Sequence, residues 1–205
     1  MDKEVKNTHN GSTEKVRRRE ARGMRVIAGT ARGKVLKALP GQDVTRPTID
    51  RVKEAMFSSV QFLVPGARVL DLFAGSGQLG IEALSRGAAR CDFVDASREA
   101  FAVVQANCRA AGVAPKSRLH NTDAFTFLAS VREPFDLVLL DPPFAHDTLS
   151  KVLPLLEPNV APGGVVICES ERDARLPETV GGLTKVKQYT YGKILVTRYQ
   201  KEVQA

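Results

Sequence analysis

The sequence predicts an α/β protein, with a mainly parallel sheet covered by helices and an antiparallel strand at its end. Three observations carry this. From residue 67 onward, short apolar runs alternate with segments of helical period, the order that βα units of a parallel sheet produce. The glycine run AGSGQLG stands where the first of those strands gives way to a helix. The last two apolar runs, TKVKQYTYG and KILVTRYQK, flank Gly192 as the arms of a hairpin do.

Residues 1–22 are polar and lack periodicity apart from the basic run KVRRRE, which predicts a flexible basic tail. Residues 23–45 include MRVIAGTARGKVLKAL, two short apolar runs around Gly29 and Gly33. They read as a small N-terminal β-hairpin extension. Residues 46–205 form the main domain. It opens with RPTIDRVKEAMFSSVQFLV, whose Val52, Ala55, Met56, Val60 and Leu63 share one helical face. Pro47 and Thr48 supply a helix start, and Asp50 is favourable near its positive end. ARVLDLF is then a strand, GQLGIEALSRG a helix and RCDFVDAS a strand. REAFAVVQANCRAAG is a helix closed by Gly112, KSRLHNTD a short strand and AFTFLASV a short helix. FDLVLLD is a strongly apolar strand, and HDTLSKVLPLLEPNV a helix that Pro154 bends or interrupts. APGG reads as a turn and GVVICES as the strand before the terminal hairpin.

Composition narrows the function classes. Of the 205 residues 43% are hydrophobic, the ordinary share for a globular chain. Cys91, Cys108 and Cys168 are odd in number and form no CxxC pair, which argues against a disulfide scaffold or a cysteine zinc site. The expected compartment is the reducing cytoplasm. No N-terminal run resembles a signal peptide, and no stretch reaches the roughly 18 apolar residues of a membrane span. The net charge of +7 is segregated: residues 1–54 hold fourteen Lys/Arg against seven Asp/Glu, and residues 55–205 hold sixteen of each. The excess runs past the tail through Arg22, Arg25, Arg32, Lys34, Lys37, Arg46, Arg51 and Lys53. A basic arm of this kind points to a polyanion, and nucleic acid is the natural one.

VLDLFAGSGQLG places Gly75, Gly77 and Gly80 at a strand-to-helix turn, a GxGxxG pattern. Glycine permits the tight turn and leaves room for a cofactor against the backbone. The pattern serves a dinucleotide or S-adenosylmethionine equally. Asp95, ending CDFVDAS, suits a ribose, and it also suits a helix cap. Asp71, at the mouth of the first strand, can orient a cationic amino-acid end, but beside a pyrophosphate it would be repelled. Asp123, followed by Ala124, can meet an adenine edge or cap the helix that follows.

The fourth strand ends in Asp141-Pro142-Pro143-Phe144. Ligands of open α/β sheets gather at this carboxyl edge, which the glycine turn and Asp95 share. The prolines hold the chain out of a helix and fix two φ angles. A nucleobase amine offers two hydrogens, and the Asp141 carboxylate and the Pro142 carbonyl can accept one each. This pins the nitrogen and favours the positive charge that grows on it during attack. Phe144 can stack on the base and set its plane.

DPPF resembles the fourth motif of amino-group N-methyltransferases. AGSGQLGIEALSRGA, RPTIDRVKEAMFSSV and MRVIAGTARGKVL further resemble one family of that class, the RsmD-type methyltransferases, which modify a guanine N2 in bacterial 16S ribosomal RNA. The likeness covers roughly residues 24–200. It implies a class I, Rossmann-like, S-adenosyl-L-methionine-dependent fold of seven strands, mainly parallel with an antiparallel last strand. It also implies a substrate presented in the small ribosomal subunit or a late assembly intermediate, and a monomeric enzyme. Asp71, Gly75 and Gly77 then correspond to the cofactor turn and Asp95 to the ribose contact, and Phe73, Ser76, Ala96, Asp123 and Ala124 complete the expected cofactor site. Asp141, Pro142, Pro143 and Phe144 correspond to the catalytic loop. Arg25, Arg32, Lys34, Arg46, Thr48 and Arg51 form the RNA-facing set. The family often carries glutamate where this chain has Asp95.

Other residues carry weaker signals. His146 reads as a helix cap or a phosphate contact, His120 as strand-end packing, and His9 lies in the tail; with the cysteines they form no spaced metal cluster. Asn107 and Glu169 stay ambiguous, with Glu169 near the site edge. Tyr189, Tyr191 and Lys193 read as hairpin packing, with the RNA face as the alternative. Two other functions fit part of the pattern. A DNA adenine-N6 methyltransferase shares the amine chemistry, and an NAD-dependent oxidoreductase keeps the glycine turn and Asp95 but leaves DPPF unexplained.

Overall fold

The computed structural model describes residues 24–40, 47–143 and 147–203. The basic tail, Arg46, Phe144 and His146 lie outside the described residues. Eight strands form one sheet: β1 Arg68–Leu72, β2 Arg90–Asp95, β3 Ser117–Asn121, β4 Phe135–Leu140, β5 Val160–Glu171, β6 Thr179–Val180, β7 Leu183–Tyr191 and β8 Ile194–Lys201. Their order is β3-β2-β1-β4-β5-β8-β7-β6. The first five run parallel, β8 pairs antiparallel with β5, and β7 and β6 continue antiparallel outward.

Two expectations are corrected in detail. The sheet has eight strands, because the two residues of β6 pair with β7 through Thr179–Thr184 and Val180–Leu183. Two residues are too few to show a period of two, so the sequence pattern does not reveal this strand. The APGG segment is a register break inside β5 and does not precede it. Between the pairs Phe135–Val160 and Leu137–Val165, β4 advances two residues while β5 advances five. Gly163, with φ of 74°, takes up the excess.

Helices cover both faces, and so β1 and β4 are buried on both sides. Alternation decides which core each residue enters. Leu137 and Leu139 face one core, with Met56 and Phe57 of α1 (Pro47–Ser58), Ile81 and Leu84 of α2 (Gln78–Ser85), and Val104 and Cys108 of α3 (Arg98–Ala110). Val138 and Leu140 face the other, with Phe127 and Leu128 of α4 (Ala124–Ser130) and Val152, Leu153 and Leu156 of α5 (Thr148–Leu156). Pro154 lies inside α5, which ends two residues later in a 3₁₀ turn, Glu157–Asn159. All three cysteines are free and buried. No helix among the described residues is long and apolar enough to cross a membrane.

The N-terminal segment pairs with itself through one antiparallel bridge, Arg25–Val35. Its main anchorage is α2. The Glu82 carboxylate accepts from the amides of Ile27 (2.7 Å) and Ala28 (3.0 Å). The Ser85 carbonyl accepts from the Thr30 amide, and the Ser85 hydroxyl accepts from the Ala31 amide and donates to the Ala28 carbonyl. The approach at Gly29 is so close that a Cβ there would lie 1.8 Å from the Ser85 carbonyl oxygen. Met24, Val26, Ala31 and Leu36 are thereby buried in the core under α1, α2 and α3.

Candidate active site

The turn after β1 is built by carboxylates holding amides. Asp71 is buried, and its Oδ2 accepts from the Gly80 amide at 2.8 Å in the first turn of α2. Asp95, at the end of β2, accepts from the Gly75 amide at 2.9 Å with one oxygen and from the Ser97 amide at 2.8 Å with the other. Phe73 takes a left-handed φ of 70°, and the amides of Phe73 and Ala74 both donate to the Val94 carbonyl. Gly77 opens α2 with φ of 77°. Gly80 is needed for packing, since a Cβ would lie 2.3 Å from the Phe93 ring. The Asn107 amide group donates to the carbonyls of Ser76 and Lys37 and accepts from the Lys37 amide, so α3 ties the turn to the N-terminal segment.

A cavity of about 770 Å³ lies against this turn. Phe73, Gly75, Ser76, Asp95, Ala96, Asp123, Ala124 and Phe125 line one side, and Asp141, Pro142, Pro143 and Glu169 line the β4–β5 side. A second cavity of about 320 Å³ shares Pro142, Pro143, Thr148 and Glu169 with the first, so the double proline borders both. Gly77 shapes the turn without lining the cavity. Asp123 caps α4, accepting from the Thr126 amide (2.9 Å) and hydroxyl (2.6 Å), and these bonds hold its carboxyl below the usual range.

Among the described residues, five carboxyl groups and one ammonium line the cavity. Burial pushes the Asp71 carboxyl up to about 8 against the opposing Gly80 amide, with smaller contributions from Asp141 and Asp95. Burial also pushes Asp141 up to about 6, and burial with the Asp141 charge raises Glu169. Lys53 is the one cationic side chain among the lining residues; its ammonium donates to the Arg25 carbonyl and stands 3.5 Å from Glu82. Burial lowers its pKa while Glu82 and Asp50 pull it back up. With five carboxyl groups and one ammonium, the lining favours a cationic ligand over a pyrophosphate, and burial keeps Asp71 uncharged up to about pH 8 when no cation is bound.

The family model described as Conserved hypothetical protein 95 matches residues 24–200. The chain belongs to that family, the RsmD methyltransferases. It is 41% identical over 183 residues to the Bacillus subtilis protein YlbH, covering 87% of this chain and 99% of that one. It is 35% identical to the Escherichia coli Ribosomal RNA small subunit methyltransferase D, over 88% of this chain and 91% of that one. The solved structure of E. coli YhhF superposes with a TM-score of 0.76 at 35% identity, covering 88% of this chain and 98% of that one. The Rossmann-like methyltransferase fold follows.

Other residues fall into place on this RsmD fold. Arg32, Lys34 and Arg51 are exposed, on the N-terminal segment and α1. Arg25 is half-exposed and pairs with Asp50 at 3.2 Å. Thr48 is in the first turn of α1. His120 bonds Asp92 at 2.8 Å and packs on Phe127, away from the main cavity. No group of three His, Cys, Asp or Glu that could hold a metal occurs among the described residues. Sequence reasoning missed Glu82, Ser85 and Phe125, and it counted Lys53 in the basic arm that points to a polyanion, whereas the fold buries it against Glu82 and the Arg25 carbonyl. Glu82 sits between apolar neighbours in GIEAL, and that interruption of an apolar stretch is the only signal of its burial.

Proposed function

We propose that the protein transfers a methyl group from S-adenosyl-L-methionine to the exocyclic N2 amine of a guanine in 16S ribosomal RNA. It acts as a cytoplasmic monomer on the small subunit or a late assembly intermediate. The observation that carries this reading is the Asp141-Pro142-Pro143 strip, which lines the main cavity with Asp71 and Asp95 and whose two prolines also border the second cavity.

The residues present fit the cofactor. Asp71, Phe73, Gly75 and Ser76 would receive its cationic amino-acid end on the turn that Gly77 shapes, Asp95 and Ala96 its ribose, and Asp123 and Ala124 the border of its adenine. A lining with five carboxyl groups and one ammonium suits a ligand carrying a sulfonium and an ammonium. When bound, the cofactor supplies an electrophilic methyl group. Asp141 and the Pro142 carbonyl each accept one hydrogen of the target amine and hold its lone pair in line. The amine proton leaves to water or to Asp141, whose raised pKa makes it a better acceptor than an exposed carboxylate. Phe144 stacks on the base. Arg25, Arg32, Lys34, Arg46, Thr48 and Arg51 hold the RNA backbone, in accord with the charge of the N-terminal quarter.

The test is transfer of labelled methyl to naked 16S RNA, reconstituted small subunits and duplex DNA, followed by nucleoside analysis. The expected product is N2-methylguanine in the subunits. Label in N6-methyladenine would sink the guanine assignment. No transfer to any nucleic acid, with NAD reduced by a small substrate, would replace the methyltransferase reading by an oxidoreductase.

A further inference from the structure

We infer that the β7–β8 hairpin carries a base-stacking row, Lys187–Tyr189–Tyr191, that takes single-stranded RNA nucleotides flanking the target base. The inference rests on the RNA reading above. Alternate residues of a strand share a face, and here the rings of Tyr189 and Tyr191 lie 6.4 Å apart with planes 29° from parallel. The Lys187 ammonium sits 5.0 Å from the Tyr189 ring centre. Both tyrosines are half-buried; part of each packs on the core beneath α1, and the rest is open.

Their hydroxyls set them apart from the third tyrosine. Tyr199 is fully buried, and its hydroxyl donates to the Pro177 carbonyl at 2.6 Å. Neither Tyr189 nor Tyr191 makes a side-chain hydrogen bond with a described residue. Interior tyrosines find such partners. Two adjacent, part-open rings with an ammonium beside them make up the platform on which proteins stack unpaired bases.

Position adds a second argument. Tyr191 pairs in register with Ile194, which lines the main cavity, so the row starts at the cavity mouth and leads away along β7. The tyrosines pack on the same core as the N-terminal segment, which exposes Arg32 and Lys34, while Lys193 is exposed at the hairpin turn. A strand whose target base enters the cleft would meet rings on one side and cations on either side.

The chain has three tyrosines and no tryptophan, so two of its three emitters lie in this row, and the variant that keeps only the buried Tyr199 gives the background. The probes are oligoadenylate and an abasic oligomer of equal length. The wild type should bind oligoadenylate about tenfold more tightly than the abasic oligomer, with quenched emission. Tyr189→Leu/Tyr191→Leu keeps apolar bulk for packing but removes the rings. It should bind both oligomers equally, with cofactor affinity and Tm unchanged, whereas the double Phe variant should behave as wild type. Undiminished oligoadenylate binding by the Leu variant would overturn the platform and leave the RNA reading intact. Wild type that binds neither oligomer nor small subunits overturns both. Should the Leu variant unfold, equal wild-type affinity for the two oligomers without quenching overturns the row.

Discussion

The carboxylates of this protein divide into two groups. On the β1–β2 side, Asp71, Asp95 and Glu82 are committed to backbone amides: Gly80, Gly75 and Ser97, and Ile27 and Ala28. On the β4–β5 side, Asp141 faces the main cavity and Glu169 both cavities, the Asp141 charge is felt at Glu169, and no amide of a described residue donates to either. The same residue types at the same sheet edge thus do different work. The first group fixes the shape of the cavity, and the second leaves acceptors free for a ligand. Removing a member of the first should damage the fold, and removing a member of the second only the chemistry.

Glu82 tests the first half of that contrast most severely. It is fully buried and receives two amides, the Arg86 guanidinium at 2.8 Å and the Lys53 ammonium at 3.5 Å. Glu82→Ala strands a buried lysine and two amides, and should cost about 3–5 kcal/mol. Urea unfolding measures it. A loss below about 1 kcal/mol would mean that water replaces the carboxylate and that the N-terminal segment is held by its apolar residues alone.

Asp141→Ala tests the other half. Methyl transfer should fall about 10²–10³-fold, the usual effect of removing one polar group that stabilises a transition state. Unfolding free energy and cofactor affinity by calorimetry should stay near wild type. Wild-type turnover would remove Asp141 from the mechanism, while a collapse of stability would move it into the scaffold group.

The division explains what was legible in the sequence. Strands β1 to β5 and the glycine turn follow from periodicity and from residues that tolerate few alternatives; Asp71 stands out because it interrupts an apolar run, and Asp95 and Asp141 because each ends one. β6 was not legible, since two residues carry no pattern, and APGG read as a turn because a bulge uses the same residues. Glu82, Ser85 and Lys53 were hidden for a different reason. The bonds that hold them in place run to backbone amides and carbonyls 28 to 57 residues away, which leave no mark in the sequence, and only the Glu82–Arg86 pair is local, at the i, i+4 spacing. The mixed role of Asp95 was half visible: its place beside the glycine turn could be read, but not its two amide bonds.

Acidity separates Asp71 from its neighbours. In the fold it holds its proton up to about pH 8, and in the unfolded chain only to about pH 4. Its contribution to stability is therefore complete below pH 4 and lost as pH rises to about 8. Across that window the wild type should lose up to about 1.4 kcal/mol per pH unit relative to Asp71→Asn. Urea titrations of both proteins at pH 5, 6, 7 and 8 give the difference, and a flat difference would mean that Asp71 is ionised in the fold. Ionising Asp71 should also tighten binding of the sulfonium cofactor as pH rises toward 8, more than that of its neutral thioether product.

The smallest effect expected is at Asp123, which stands on the boundary between the two groups. It lines the cavity, yet both its oxygens hold Thr126. Asparagine caps a helix about as well as aspartate, so Asp123→Asn preserves the α4 start and removes only the charge. If capping is the whole role, calorimetry should find cofactor affinity within about twofold of wild type, a difference of only ~0.4 kcal/mol. A tenfold loss with Tm unchanged would show that the charged carboxylate also meets the adenine edge, and Asp123 would then belong to both groups.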